Sequence, residues 1–501
     1  MGEQSHELHT DVATYLGIDV GSTATKAIAF DRSGNPLSSG TSGYAIDRPS
    51  HDRAEQDPRA WSHAVGDCVA QIATTIDLAT IQSIGVTSQV DTHVLVDEKF
   101  DPLLPAMLWQ DVRSSGEADL LNERLGDWGR LDGWGDIQLI DASNPVPRAL
   151  WLARHEPTAW AATRWLLLPK DFINAWLTGV AASDPLASFK VVGADAAYVS
   201  GIAHAQGLAT RLPALGSPEE PMGVTNRPWH GVPAGTTVAT GTMDAFGNVL
   251  GSGLHQPGDT MIVIGTSVIV GALGIGGTSG PGVVNFAPYR GHQVHAGPTQ
   301  SGGESLRWWA KVTDRAIADV LDAAAAATPG SDGVVFAPHM LGERAPLWDN
   351  EARAWFTGIH AGIGFPELSR AVLEGVAYST RELLEAVEVA STVPARQIVL
   401  SGGGSRSPLW CQIIADVTGR VVHRSIEKDT AVVGAAALAA SAQTGTDPWV
   451  QAVALAQHDE TFVPDSAAHI HYDGLYNLYR ASYQNLRDLH HRLHILRHSQ
   501  D

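Results

Sequence analysis

Four short runs carry residue types suited to handling phosphate and moving a proton. The first is Asp19-Val20-Gly21-Ser22-Thr23-Ala24-Thr25-Lys26. A tight turn of glycine, serine and threonine offers backbone N–H groups and hydroxyls as donors to phosphate oxygens. An aspartate at the end of the preceding strand is placed to hold Mg2+ through water. A plain polar β-turn has the same composition. The second run, Gly265-Thr266-Ser267, is a shorter turn of the same kind. The third runs from Ser401 to Ser407 and contains Gly402-Gly403-Gly404. Consecutive glycines let a flat ring approach the backbone, and a helix starting there adds N–H donors; a flexible turn is the alternative. The fourth is Gly241-Thr242-Met243-Asp244. Its aspartate could serve as a general base toward a sugar hydroxyl, a role that contributes about 10² to 10⁴-fold. A helix N-cap over the following residues explains the same aspartate, and the local pattern favours the cap.

The elements that must position these runs follow from hydrophobic patterning. Residues 14–20 and 24–30 read as strands around the first run, with a third strand near 37–44. Residues 61–76 read as a helix, and 83–88, 93–97 and 236–240 as strands, the last leading into Asp244. Residues 259–264 and 268–273 flank the second turn as strands and repeat the strand–turn–strand plan of residues 14–30. This repeat implies two related domains. Residues 251–258, rich in glycine with one proline, suit the hinge. A strand at 397–400 and a helix at 407–418 bracket the glycine run, and further helices are expected at 431–442 and 473–498. His490, His491, His494 and His498 read as solvated helix faces, since no carboxylate or cysteine partner accompanies them as a metal site would need.

The chain has 501 residues, 44% hydrophobic and 17% charged, an ordinary globular composition. Its net charge of −21 argues against nucleic acid and anionic membranes as partners. Two isolated cysteines give neither a disulfide framework nor a zinc spacing. No apolar signal core opens the chain, and its longest apolar stretch, 431–442, is too short to span a bilayer. A cytoplasmic protein is therefore expected. No lysine follows a glycine, so a P-loop is excluded, and G-x-G-x-x-G, H-E-x-x-H, C-x-x-C and G-x-S-x-G are absent.

Further segments carry a resemblance. Ile18 to Thr23, Glu55-Gln56-Asp57-Pro58 with Trp61, Leu108 to Arg113, and Leu168 to Phe172 with Leu177-Thr178-Gly179 occur in the order found in the FGGY carbohydrate kinases. Gly342-Glu343-Arg344-Ala345-Pro346 and the stretch Ala354 to Glu374 follow in the same order. The chain resembles that family from about Tyr15 to about Ala442. The resemblance implies two duplicated ribonuclease H-like α/β domains of the actin-like ATPase type with an interdomain active-site cleft. It implies a sugar-binding domain at 14–254 after a polar extension at 1–13, an ATP-binding domain at 259–445, and a helical tail at 446–501 packed on the latter.

The implied activity is transfer of phosphate from ATP, with Mg2+, to a hydroxyl of a small sugar, a pentulose such as D-xylulose first. Ribulose, erythritol or a tetrulose, glycerol and gluconate are alternatives. An actin-like ATPase and a non-catalytic sugar-binding protein are alternatives of another class. Asp244 falls on the family's catalytic aspartate, and Asp19 with Asp244 on the metal side. Gln89, Val90, Asp91 and Trp109 fall on the sugar loops. Gly21, Ser22, Thr23 and Lys26, Thr266 and Ser267, Gly303, and Gly403, Gly404 and Ser407 fall on nucleotide-binding segments. A homodimer is also implied. Val90-Asp91 departs from the Met-His of xylulose kinases and the Arg-Glu of glycerol kinases, and Asp91 is the residue expected to reset specificity.

Overall fold

The computed structural model describes residues 14–135, 139–277 and 282–498, and the expected extension at 1–13 lies outside them. The chain forms two compact units. One comprises the chain up to Gly253 with Thr430–Ala456; the other comprises Leu254–Asp429 and the chain from Gln457 onward.

In the first unit the sheet order is Pro221–Val224, Thr237–Ala239, Ile81–Ser88, Thr14–Val20, Ala24–Phe30, Pro36–Gly43. Thr14–Val20 pairs antiparallel with Ala24–Phe30 and parallel with Ile81–Ser88. Thr242–Met243 adds to the end of Ile81–Ser88 opposite Thr87 and Ser88. One sheet face buries Leu16, Ile18, Ile84 and Val86 with Trp61, Val65 and Val69 of the helix Pro58–Ile72.

The helix Thr430–Thr444 packs against the same sheet. It is apolar and buried all round, as a helix inside a core must be. Two strand glycines set its distance. A Cβ at Gly17 would lie 2.1 Å from the Val432 carbonyl oxygen, and one at Gly85 would lie 1.9 Å from that of Ala435. Alanine on the helix and glycine on the strands thus bring backbone against backbone. This packing corrects the expected domains. The alanine-rich helix and the helix Pro448–Leu455 belong to the first unit, not to a segment 259–445 or a tail at 446–501. The rest of that tail, the strand His458–Phe462 and the helix Ser466–His498, belongs to the second unit.

The second unit repeats the plan. Asp259–Ile264 pairs antiparallel with Val268–Gly274 and parallel with Gln397–Ser401. Its sheet extends through Gln293–Pro298 and Val284–Asn285 on one side, and Val422–Ser425 and His458–Phe462 on the other. The 27-residue helix Phe365–Ser391 supplies much of its core. No described helix is long and apolar enough to cross a membrane.

Candidate active site

The carboxylates converge in the first unit. Asp19 stands next to last in its strand, directly across from Lys26 in the hairpin register. Its Oδ1 accepts a 3.0 Å hydrogen bond from the Thr87 hydroxyl of the neighbouring parallel strand. Gly241 explains how Asp244 arrives nearby. Its φ is +73°, and a Cβ there would lie 2.1 Å from the Val86 carbonyl oxygen. Only glycine lets the chain turn in and pair Thr242–Met243 with the end of that strand. Asp244 is then the first residue of the helix Asp244–Gly251. The favoured N-cap reading is not what the structure shows. Met243 occupies the cap, and among the described residues the Asp244 Oδ1 accepts from the adjacent Ala245 N–H, at 2.7 Å, and from no other backbone N–H of the helix. Burial, and next the charge of Asp19, push the Asp244 carboxyl up to about 8, with the Asp91 charge adding to the rise. A carboxyl raised by the charge of a second carboxylate is placed for a shared proton or a cation.

A buried cluster braces this loop. The Lys170 Nζ lies 2.5 Å from Asp171 and 3.0 Å from Asp184, and donates to the Thr240 carbonyl oxygen at 3.3 Å. The Asn174 amide donates to the same carbonyl at 2.9 Å. The Thr242 hydroxyl donates to Asp184 at 3.0 Å. Burial alone would lower the Lys170 ammonium, but its two carboxylates outweigh it and hold it above its ordinary range. The L-P-K-D segment therefore acts by fixing the backbone that carries Asp244.

The expected sugar loop is joined to the first turn by one hydrogen-bonded chain. The Trp109 indole N–H donates to the Ser22 hydroxyl at 3.1 Å, and that hydroxyl donates to the Gln89 Oε1 at 3.0 Å. The Gln89 amide donates to the Gln56 Oε1 at 3.1 Å, which also accepts the Trp61 indole N–H at 3.1 Å. Both indoles can only donate, so they fix which way the two amides point. The Arg113 guanidinium holds the segment from outside, 2.5 Å from both Glu55 and Asp111.

Asp91 has a φ of +49°, and its carbonyl oxygen accepts from the fully buried Arg148 at 2.7 Å. Its Oδ2 lies 3.0 Å from the Lys190 Nζ, which also meets Asp141 at 2.6 Å and the Ser143 hydroxyl at 2.5 Å. Burial would lower the Lys190 ammonium, but Asp91 and Asp141 outweigh it and raise it. Behind this pair lies a cavity of about 20 Å³ lined by Asp91, His93 and Lys190, enough for one water. Val90 is half-buried beside them. Thr87, Arg148 and Lys190 are absent from the sequence reading. Nothing in the local sequence around Lys190 marks it, because its partners come from two distant loops.

In the second unit the turn Gly265–Ser267 closes through the Gly265 N–H to the Ser267 carbonyl oxygen, at 2.9 Å. The start of the helix Gly303–Val312 locks onto it. The Gly303 N–H donates to the Gly265 carbonyl at 2.8 Å, and the Gly302 N–H to that of Thr266 at 2.9 Å. A Cβ on Gly303 would lie 2.6 Å from the Gly265 oxygen, so this glycine is required by packing on the turn. The glycine run divides likewise. Gly402 and Gly404 press on Ile264, whose atoms would lie 2.5 and 2.4 Å from added Cβ atoms, whereas Gly403 faces open space. Ser407 caps the helix Pro408–Thr418, accepting from the Trp410 N–H at 3.3 Å. Arg307, which the sequence reading omits, donates from Nη2 to the Thr266 hydroxyl at 2.9 Å.

The terminal histidines are not simply solvated. His490 is buried, and His491 meets Asp349 at 3.0 Å and Glu351 at 3.6 Å. These carboxylates are remote in sequence. Even so, the described residues contain no group of three or more histidine, cysteine or carboxylate side chains arranged for a metal ion.

Residues 14–251 match the N-terminal domain, and residues 260–443 the C-terminal domain, of the FGGY family of carbohydrate kinases. A xylulose kinase of Klebsiella pneumoniae is 31% identical over 417 residues, covering 81% of this chain and 85% of that protein. One of Escherichia coli K12 is 29% identical over 490 residues, covering 95% and 99%. The crystal structure of xylulose kinase from Rhodospirillum rubrum superposes with a TM-score of 0.85 at 26% identity, covering 95% of this chain and all of that one.

Proposed function

The chain belongs to the FGGY family of carbohydrate kinases and is an ATP-dependent sugar kinase; within that family we propose that it phosphorylates a small ketose, D-xylulose first. The observation that carries the reading is the joining of base and sugar loop in one unit. The charges of Asp19 and Asp91 both raise the Asp244 carboxyl, and the Ser22–Gln89–Trp109 chain ties the sugar loop to the turn after Asp19. The similarity to xylulose kinases over nearly the whole chain supports the ketose.

In this reading Asp244 orients the attacking hydroxyl and accepts its proton. A carboxyl pushed up to about 8 is a stronger base than an ordinary aspartate, and one poised near neutrality is suited to the task. Gln89, Val90, Asp91 and Trp109 bind the sugar. Gly21, Ser22, Thr23 and Lys26 serve the phosphates from the first unit. Thr266 and Ser267 do so from the second, where Gly303, Gly403, Gly404 and Ser407 shape the nucleotide site. Phosphoryl transfer demands mainly alignment and neutralised charge, so the N–H-rich turns matter as much as the base.

The residues fit a divalent cation. Asp19 and Asp244 repel, and a cation near both relieves that repulsion; phosphate oxygens and water would complete a magnesium shell that two carboxylates begin. When bound, Mg2+ would neutralise phosphate charge. We also read the enzyme as cytoplasmic. Cys68 and Cys411 are free and buried, and burial pushes both thiols up to about 12, which suits a reducing compartment.

A coupled ADP-release assay over xylulose, ribulose, erythritol, tetruloses, glycerol and gluconate tests the proposal. Xylulose should give the highest kcat/KM. A better polyol substrate would mean that Asp91 has reset specificity away from the ketose, and sugar-independent ADP release would replace the kinase assignment with an ATPase.

A further inference from the structure

The chain carries a net charge of −21 yet must hold a nucleotide polyanion, so a cation held beside a phosphate turn has a clear use. Arg307 is such a cation. It sits one turn into the helix Gly303–Val312, on the face toward the Gly265–Ser267 turn. Its Nη2 donates to the Thr266 hydroxyl at 2.9 Å, and Nε and Nη2 each lie 2.8 Å from Glu304 Oε2. One edge of the guanidinium is therefore fixed by two residues of the turn and helix. The other edge, at Nη1, has no partner among the described residues, and the side chain is about half exposed.

The turn itself is prepared in the same way. The Gly265 N–H closes the hairpin, while the N–H groups of Thr266 and Ser267 take no acceptor among the described residues. The Thr266 hydroxyl accepts from Arg307 and keeps its own proton to donate. Three kinds of donor thus stand together: two backbone N–H groups, one hydroxyl and one guanidinium edge. The pairing with Glu304 sets direction more than charge, since a surface pair of this kind contributes little energy of its own. Arginine's planar fork suits this geometry, because one edge can be anchored while the other meets an oxyanion.

We propose that Arg307 is the phosphate-contacting cation of the second unit, its guanidinium binding the phosphate chain of the nucleotide at the Gly265–Ser267 turn. This rests on the reading of that turn as a phosphate site. The test measures Mg·ATP and adenosine binding by calorimetry for the full-length wild type and for Arg307→Gln, Arg307→Lys and Thr266→Val. Arg307→Gln should weaken ATP by about 10- to 100-fold, the loss of a charge-assisted hydrogen bond, and leave adenosine unchanged. It should also flatten the salt dependence of ATP binding, and Arg307→Lys should recover part of both. If Arg307→Gln binds ATP like wild type while Thr266→Val binds it worse, the turn holds phosphate but Arg307 does not, and the proposal is overturned. If neither variant changes ATP binding, the turn is no phosphate site and the proposal falls with that reading.

Discussion

Gly21-Ser22-Thr23 and Gly265-Thr266-Ser267 end equivalent strands, each flanked by an antiparallel hairpin partner and a parallel strand. Their side-chain bonds differ. The first turn is longer, closed by the Gly21 N–H to the Ala24 carbonyl oxygen at 3.0 Å. Its Ser22 hydroxyl is committed to Gln89 and Trp109, and a carboxylate precedes it. The second turn follows Ile264, its hydroxyl takes a guanidinium, and a helix start is bonded to its carbonyls. A duplicated hairpin is thus bonded to Gln89 and Trp109 behind a carboxylate in one unit, and to a guanidinium and a helix start in the other; in the proposed function the first serves the sugar side and the second the nucleotide. The backbone plan supplies N–H donors in both, and the chemistry is set by what the neighbouring strand or helix brings.

The most severe break of this contrast removes the acid side. Asp244→Asn keeps the shape and the Ala245 contact but cannot accept a proton, so kcat should fall by at least about 10²-fold with ATP binding retained. Rapid-quench kinetics with ATP titration checks this. Near-normal kcat would mean that another group is the base and that the first unit's carboxylates serve only charge.

A smaller, paired break tests the wiring of the hydroxyls. Ser22→Ala keeps the backbone N–H that would serve phosphate but cuts the link between Trp109 and Gln89, so it should raise the sugar KM about 10-fold, with the ATP KM moving far less. Thr266→Val should do the reverse. Steady-state kinetics with both substrates varied resolves the two. If both variants raise the same KM, the two turns share one role and do not divide sugar from nucleotide.

The contrast also has a pH signature. The Asp244 carboxyl titrates near 8 in the folded chain, and near 3.9 when unfolded. The folded state then holds the extra proton between these values, so stability falls as pH rises through that window. Asp244→Asn removes the effect. Its melting temperature should exceed that of the wild type, by a margin that widens from about pH 5 to about pH 8. The second turn carries no such carboxylate, and Thr266→Val should shift melting equally at both pH values. A constant margin for Asp244→Asn would mean that Asp19 and burial do not raise its carboxyl.

How much of this was legible in the sequence depends on distance along the chain. Both hairpins show as apolar runs, ending in Asp19-Val20 or in Ile264, followed by glycine and hydroxyl residues, because turn chemistry is local. Asp244 shows as an acid at a strand end, but its proton affinity does not, since that arises from Asp19 and from burial across the sheet. Lys190 and Arg307 are not legible there, because what fixes each side chain is a partner brought by another loop or turn. The helix Thr430–Thr444 is legible as a helix, but the unit it packs into is not. Its placement is decided by Gly17 and Gly85, whose missing side chains are a feature of a sheet hundreds of residues earlier.

The glycine run offers the mildest break. Gly402, with φ of +85°, and Gly404 are required by contact with Ile264, which leads directly into the second turn. Alanine at Gly404 should therefore lower stability and, through Ile264, loosen the turn. Gly403 has no atom within 4 Å of an added Cβ and an unexceptional φ, so the fold asks nothing of it. Gly403→Ala should leave melting unchanged. If a flat base lies over this residue, as the open face allows, a methyl group there should weaken adenosine and ATP alike by a few fold, since both carry the base. Wild-type affinity for both would free Gly403 of any ligand. The glycine run would then be explained by packing alone, and the nucleotide would be held in the second unit by the turn and its arginine.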